Sequence, residues 1–150
     1  MIALDWHLLG SIFTKIGGCY ALVMPTAWVG EQEGHSAGVR TFPIVAMASC
    51  GYLMIMPAGI DTGNSSRVLQ GLIAGIGFVG GGAILKQGPN VHGTATAASI
   101  WNTGAIGAAV ALDKYEIAIA LAVFNAFTMW ALVPLKNRLD ARSNKPCDPA

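Results

Sequence analysis

Five segments of eighteen or nineteen residues, at 12–29, 42–60, 68–85, 94–112 and 117–135, contain no Asp, Glu, Lys or Arg apart from Lys15. A helix rises 1.5 Å per residue, so eighteen residues extend about 27 Å, close to the roughly 30 Å hydrocarbon core of a bilayer. A water-facing helix would carry a polar stripe at every third or fourth position, and these segments lack one. The pattern predicts an all-α polytopic membrane protein, a bundle of about five transmembrane helices over 1–135 followed by a short basic tail over 136–150. The composition agrees: 11% of the 150 residues are charged and 53% are apolar, against about a quarter charged in soluble domains. Nine basic and eight acidic side chains nearly cancel, which leaves no basic field for nucleic acid. The partners expected instead are the lipid bilayer and either a second copy or another membrane protein complex.

The tail holds Lys136, Arg138, Arg142 and Lys145, so the positive-inside rule places it in the cytoplasm. Five spans then put Arg40 and Lys86 on the same side, Arg67 and Lys114 opposite, and the N-terminus outside. Met1–Ser11 reads as an interfacial lead-in with Trp6 and His7 rather than a cleaved signal, because no basic residue precedes the apolar stretch. Lys15 is expected to snorkel along its stem. Trp28 and Trp130 suit the inner interface and Tyr115 the outer one, whereas Trp101 lies deep enough to pack between helices. Cys19, Cys50 and Cys147 show no metal-ligand or framework spacing, so they read as small apolar side chains.

Gly75, Gly77 and Gly80 match GxGxxG, but no acidic residue follows until Asp113, and the dinucleotide fingerprint needs one about twenty positions on. Gly71 with Gly75, and Gly77 with Gly81, instead read as GxxxG pairs for close helix approach, as do Ala118, Ala122 and Ala126 further on. A broken glycine-rich helix lining an ion path is the alternative. Asn102 and Asn125, placed in hydrocarbon, need partners on other helices.

On the inner face the sequence gathers Glu31, Glu33, His35, Arg40 and Thr41 in one loop, and Lys86, Gln87, Asn90, His92, Thr94 and Thr96 at a second. Glu31 and Glu33 could offer oxygen ligands to Mg²⁺, which needs one or two carboxylates. They could equally pair with Arg40 and fix the loop. No nucleophile–base arrangement is framed by a pocket signature, so no catalytic residue, enzymatic activity or resident cofactor is expected.

Glu31-Gln32-Glu33 with Ala37-Gly38-Val39-Arg40-Thr41, then Gly75–Lys86 and Val91–Trp101, resemble the membrane domain of the MgtC/SapB family. The likeness runs from about Gly17 to Leu135. It implies a bacterial inner-membrane protein associated with magnesium limitation, with stress or host adaptation and, for some members, with modulation of ATP synthase or other transporters. A cation transporter or channel subunit is the alternative it leaves open. The chain departs from the family pattern in having Gln32 where a basic residue is usual, a short Gly34-His35-Ser36 link, and Gly93-Thr94-Ala95-Thr96-Ala97 in place of Gly-Leu-Thr-Thr-Ala. The fifteen residues after Leu135 lead to the expectation of a short form without the family's soluble C-terminal domain.

Overall fold

Asp5 opens the first helix. Its carboxylate accepts the N–H groups of His7 (2.9 Å) and Leu8 (3.2 Å), which satisfies donors that a helix start leaves unpaired. From there a computed structural model describes residues 5–32, 37–56, 62–87 and 90–131. The elements are α1 (Trp6–Gln32), α2 (Thr41–Met54), α3 (Thr62–Gly82), β1 (Leu85–Gln87), β2 (Asn90–His92), α4 (Thr94–Ala111) and α5 (Tyr115–Ala131). The chain is all-α in class, with one small antiparallel hairpin among the described residues, in which Leu85 pairs with His92 and Lys86 with Val91.

The sequence leads to five helices, but several bounds differ from those expected. α1 begins at Trp6, so the described part of the Met1–Ser11 lead-in is already helical from that residue. α2 ends at Met54 rather than reaching Ile60, with Ile55 and Met56 folding back onto Gly51 and Leu53. The residue before a proline is driven out of the helical region, and Met56 precedes Pro57. α3 starts at Thr62, six positions before Val68, and places Arg67 inside the helix. It stops at Gly82, and Leu85 enters the hairpin. By length and apolar composition α1, with 27 residues, is long enough to cross a membrane, while α2 and α5 are shorter apolar helices. The ends of the expected second and fifth spans, together with the tail 136–150 and Cys147, lie outside the described residues.

α4 is the axis of the bundle and packs on α1, α2, α3 and α5. Its sequence explains this: Thr96, Ser99, Ile100, Thr103, Gly104, Ile106, Gly107, Ala109 and Val110 are all buried, and most are small enough to let several backbones close in. A Cβ on Gly107 would strike the Ala46 carbonyl of α2, and one on Gly104 would strike the Ile76 side chain of α3. On α3 it is Gly80 that makes the close approach, its missing Cβ lying 3.0 Å from the Ala97 carbonyl oxygen. Gly71, Gly75, Gly77 and Gly81 have nothing of this chain within 4 Å of where a Cβ would stand. The GxxxG pairs therefore do not pack α3 into its own bundle, which corrects the expectation for those four glycines as far as contacts within the chain go. Gly71 and Gly75 border a cleft between α3 and α2, with Val45, Ser49 and Tyr52 on its far wall. The core fills around Val23, Phe42, Ile100, Ile106 and Val110.

Candidate functional site

The close approaches fix the directions of the helices. Gly30 of α1 abuts Phe42 of α2, Gly80 of α3 abuts Ala97 of α4, and Gly93 abuts the Ala83 carbonyl. The end of α1, the start of α2, the hairpin and the start of α4 thus share one end of the bundle. Both polar loops expected to cluster begin there.

Glu31 stands in the last turn of α1, and its Oε2 accepts the Val39 N–H at 3.2 Å. The same carboxylate lies against the Cα of Gly38, where a Cβ would collide with it. A carboxylate just ahead of α2 also faces the positive end of that helix. Glu31 is in this way a strut between α1 and α2. Arg40, exposed and directly before Thr41, makes no ion pair with Glu31 among the described residues, so the expected Glu31–Arg40 pairing is not the device that holds this loop. Glu33 and His35 lie outside the described residues. Lys86 and His92 are exposed on the hairpin strands, Thr94 is exposed at the first position of α4, and for Asn90 and Gln87 only the backbone is described. Thr96 is fully buried. Its hydroxyl, like that of buried Thr26 on α1, has no hydrogen-bond partner. Among the described residues no three His, Cys, Asp or Glu side chains group together as metal ligands.

A second polar cluster joins α4 to α5. The Thr103 hydroxyl donates to the Ser99 carbonyl at 2.8 Å, the Ser99 hydroxyl donates to Asn125 Oδ1 at 3.0 Å, and Asn102 Nδ2 donates to the Leu121 carbonyl at 3.3 Å. Both asparagines are thus engaged between helices. Ala118 and Ala122 are buried and Ala126 is half-buried on the same helix. Asn125 Nδ2 is left buried without a partner. Removing one member of such a pair costs more than removing both, because the survivor stays desolvated and unbonded. Ser99→Ala is therefore expected to destabilise by about 1 kcal/mol, and Ser99→Ala with Asn125→Leu to cost less than the two single changes added together. A double-mutant cycle of thermal melts in detergent measures this.

At the opposite end, α4 closes with Asp113 in the left-handed region at φ 56°. Lys114 N–H bonds the Ala109 carbonyl and Asp113 N–H bonds the Val110 carbonyl, the Schellman pattern with Asp where glycine is usual. Lys15 completes the cap from α1: its Nζ donates to the Ala111 carbonyl at 3.1 Å and to Asp113 Oδ2 at 2.8 Å. Tyr115 donates its hydroxyl to Asp113 Oδ1 at 3.0 Å. Lys15 carries its ammonium to exposed Asp113 at this end of the bundle, as snorkelling requires, and is bound there. Nothing in the spacing of Lys15 and Asp113, 98 positions apart, announces the pair. The Lys15 ammonium, then the Tyr115 hydroxyl, hold the Asp113 carboxyl below the usual carboxylate range, and the neighbouring Asp113 anion pushes the Tyr115 hydroxyl up. Because the folded carboxyl titrates lower than the unfolded one, its stabilisation is complete above about pH 4 and is lost as pH falls through the depressed value. Melts of the native protein and Asp113→Asn, which tolerates the same backbone, should differ at neutral pH and converge as pH falls below the ordinary carboxylate range.

Trp101 is another correction: 52% of it is exposed, and it borders a cleft of about 250 Å³ between α3 and α4 with Ile73, Ala105 and Lys114. It does not fill the space between helices.

A model of the MgtC family matches residues 21–138. The chain is 34% identical over 114 residues to "Protein SrpB" of Synechococcus elongatus, covering 66% of this chain and 62% of that one. It is 31% identical over 117 residues to "Putative magnesium transporter YhiD" of Escherichia coli K12, covering 73% and 54%. With "Protein MgtC" of Brucella abortus the identity is 32% over 135 residues, covering 90% and 57%. The chain thus spans between half and two thirds of the length of these relatives. No solved structure matches it. The matched stretch contains the Glu31 strut, the glycine-rich α3, the hairpin and the α4 axis, and on that ground the chain belongs to the MgtC family.

Proposed function

We propose that this chain is a bacterial inner-membrane protein serving magnesium or stress homeostasis by binding another membrane complex and altering its activity, without itself being an enzyme. The observation that carries this is the division of labour in the bundle. Polar side chains of the central helices are largely engaged in bonds between or within helices, while on α3 nothing of this chain lies within 4 Å of where a Cβ would stand on Gly71, Gly75, Gly77 or Gly81. Bare glycines on a helix let a second backbone come close, a source of helix association in lipid. Five spans, with the N-terminus outside and the basic tail in the cytoplasm, complete this reading. It draws support from the magnesium-related name of YhiD and from the family assignment. A deletion strain should grow poorly at low magnesium, be rescued by the native gene, and not be rescued by Gly75→Leu, provided that variant accumulates normally.

The second reading is a cation transporter. It is favoured by the buried, unpartnered hydroxyls of Thr26 and Thr96 near the end of the bundle that holds Glu31. Liposomes carrying the purified protein and a Mg²⁺ dye separate the two. Flux abolished by Glu31→Gln supports transport, and absence of flux under a gradient supports contact with a partner.

A further inference from the structure

Trp101 and Lys114 mark the two ends of the cleft between α3 and α4. Its walls are apolar, with Leu69, Ile73 and Ile76 from α3 facing Ala105, Ala108 and Leu112 from α4. Lys114 is exposed and makes no ion pair among the described residues. We propose that this cleft binds one acyl chain of an anionic glycerophospholipid, with the lipid phosphate on the Lys114 ammonium and the end of the chain against Trp101.

Length and charge select this occupant. Along α4 the cleft runs from Leu112 down to Trp101, about 16 Å of helix. That is half of the roughly 30 Å hydrocarbon core, the depth of one leaflet. On α3 it runs only from Leu69 to Ile76, although that helix continues to Gly82. A spanning helix of another protein is about 10–12 Å across and needs a groove through both leaflets. A cleft of about 250 Å³ instead fits a narrow chain that ends at mid-membrane. Ala105 and Ala108, both half-buried, leave the room for it. The cation stands at the opposite end, just past the close of α4, where headgroups begin. Of the other charged groups there, Asp113 is bonded to Lys15, and Glu116 lies in the first turn of α5, whose positive helix end accommodates it. Arg67, near the start of α3, adds a second cation. The site rests on the reading of the chain as membrane-spanning, and not on which complex it contacts.

Trp101 fluorescence reports on the site once Trp6, Trp28 and Trp130, all largely exposed, are changed to phenylalanine in the full chain. In phosphatidylcholine nanodiscs, a small fraction of phosphatidylglycerol brominated near the chain end should quench Trp101 more than the same fraction of brominated phosphatidylcholine. The expected preference is about fivefold, the worth of one Lys or Arg against an anionic headgroup, and it should shrink at high salt. Lys114→Gln should remove the preference at an unchanged melting temperature. Ala108→Leu, which fills the cleft and keeps the charge, should remove it too. Equal quenching by the two lipids, or a preference that survives both substitutions, would overturn the site and leave the membrane placement standing. Absence of quenching by either lipid would overturn the placement as well. A preference that vanishes when two copies share a nanodisc would give the cleft to a second copy instead.

Discussion

Gly107→Val is expected to eliminate folded protein, while Gly75→Ala leaves the melting temperature unchanged or raises it. The contrast follows from what each missing Cβ would meet. At Gly107 it is the Ala46 carbonyl and the Ser49 side chain, on a helix that cannot retreat without opening the α2–α4 contact. Extra atoms forced into a close-packed interface cost about 1–3 kcal/mol when the neighbour is a yielding side chain. Here it is backbone, so about 3 kcal/mol or more is expected, enough to consume much of a small domain's stability. At Gly75 the space is open, and alanine gains the helix propensity that glycine lacks, about 0.5–1 kcal/mol. Fluorescence-detected size exclusion with a thermal ramp measures both variants.

Gly93→Ala should cost nearly as much, about 2–5 kcal/mol, from two separate sources. Gly93 sits at φ 86° immediately before α4, where an L side chain costs about 1–2 kcal/mol. Its Cβ would also drive into the Ala83 carbonyl, adding the penalty of overpacking. Asp113 shows that the first cost alone is bearable, since it holds φ 56° with its side chain free to bond Lys15 and Tyr115. Gly93 has no such freedom. Loss of this turn should unseat the hairpin from the end of the bundle and expose its backbone. The variant should therefore melt lower and lose amide hydrogen-exchange protection at 85–97 more than at 115–125.

Much of the architecture could be read from the distribution of charge. Where a charged residue or a threonine borders an apolar run, as at Thr94 or Asp113, the helix bound lies within a residue or two of the expected one. The exceptions have local causes. α2 stops short because Pro57 restricts Met56, and the hairpin arises in a stretch whose Gly88-Pro89 pair is a turn signal between two short β-formers. Glycine is densest in α3, whereas the small residues of α4 are interleaved with threonine, serine and asparagine and so look polar, yet it is α4 that all the other described helices touch. Side-chain partnerships were least legible. Glu31 stands out by its loop and its family motif, but its bond to Val39 depends on Gly38 bringing the chain back against α1. Lys15 and Asp113 meet only because α1 and α4 run in opposite directions.

On the proposed function, the exposed glycines of α3 are a contact surface for another membrane complex. This is tested most directly by placing a photo-crosslinking residue at position 75 in the native membrane and resolving the products by blue-native electrophoresis. A discrete adduct containing a second membrane protein, lost when Gly71 and Gly81 are changed to leucine while the chain itself persists, is the predicted result. Recovery of monomer alone under magnesium limitation, or of a copy-to-copy adduct with no other protein in it, would contradict the account.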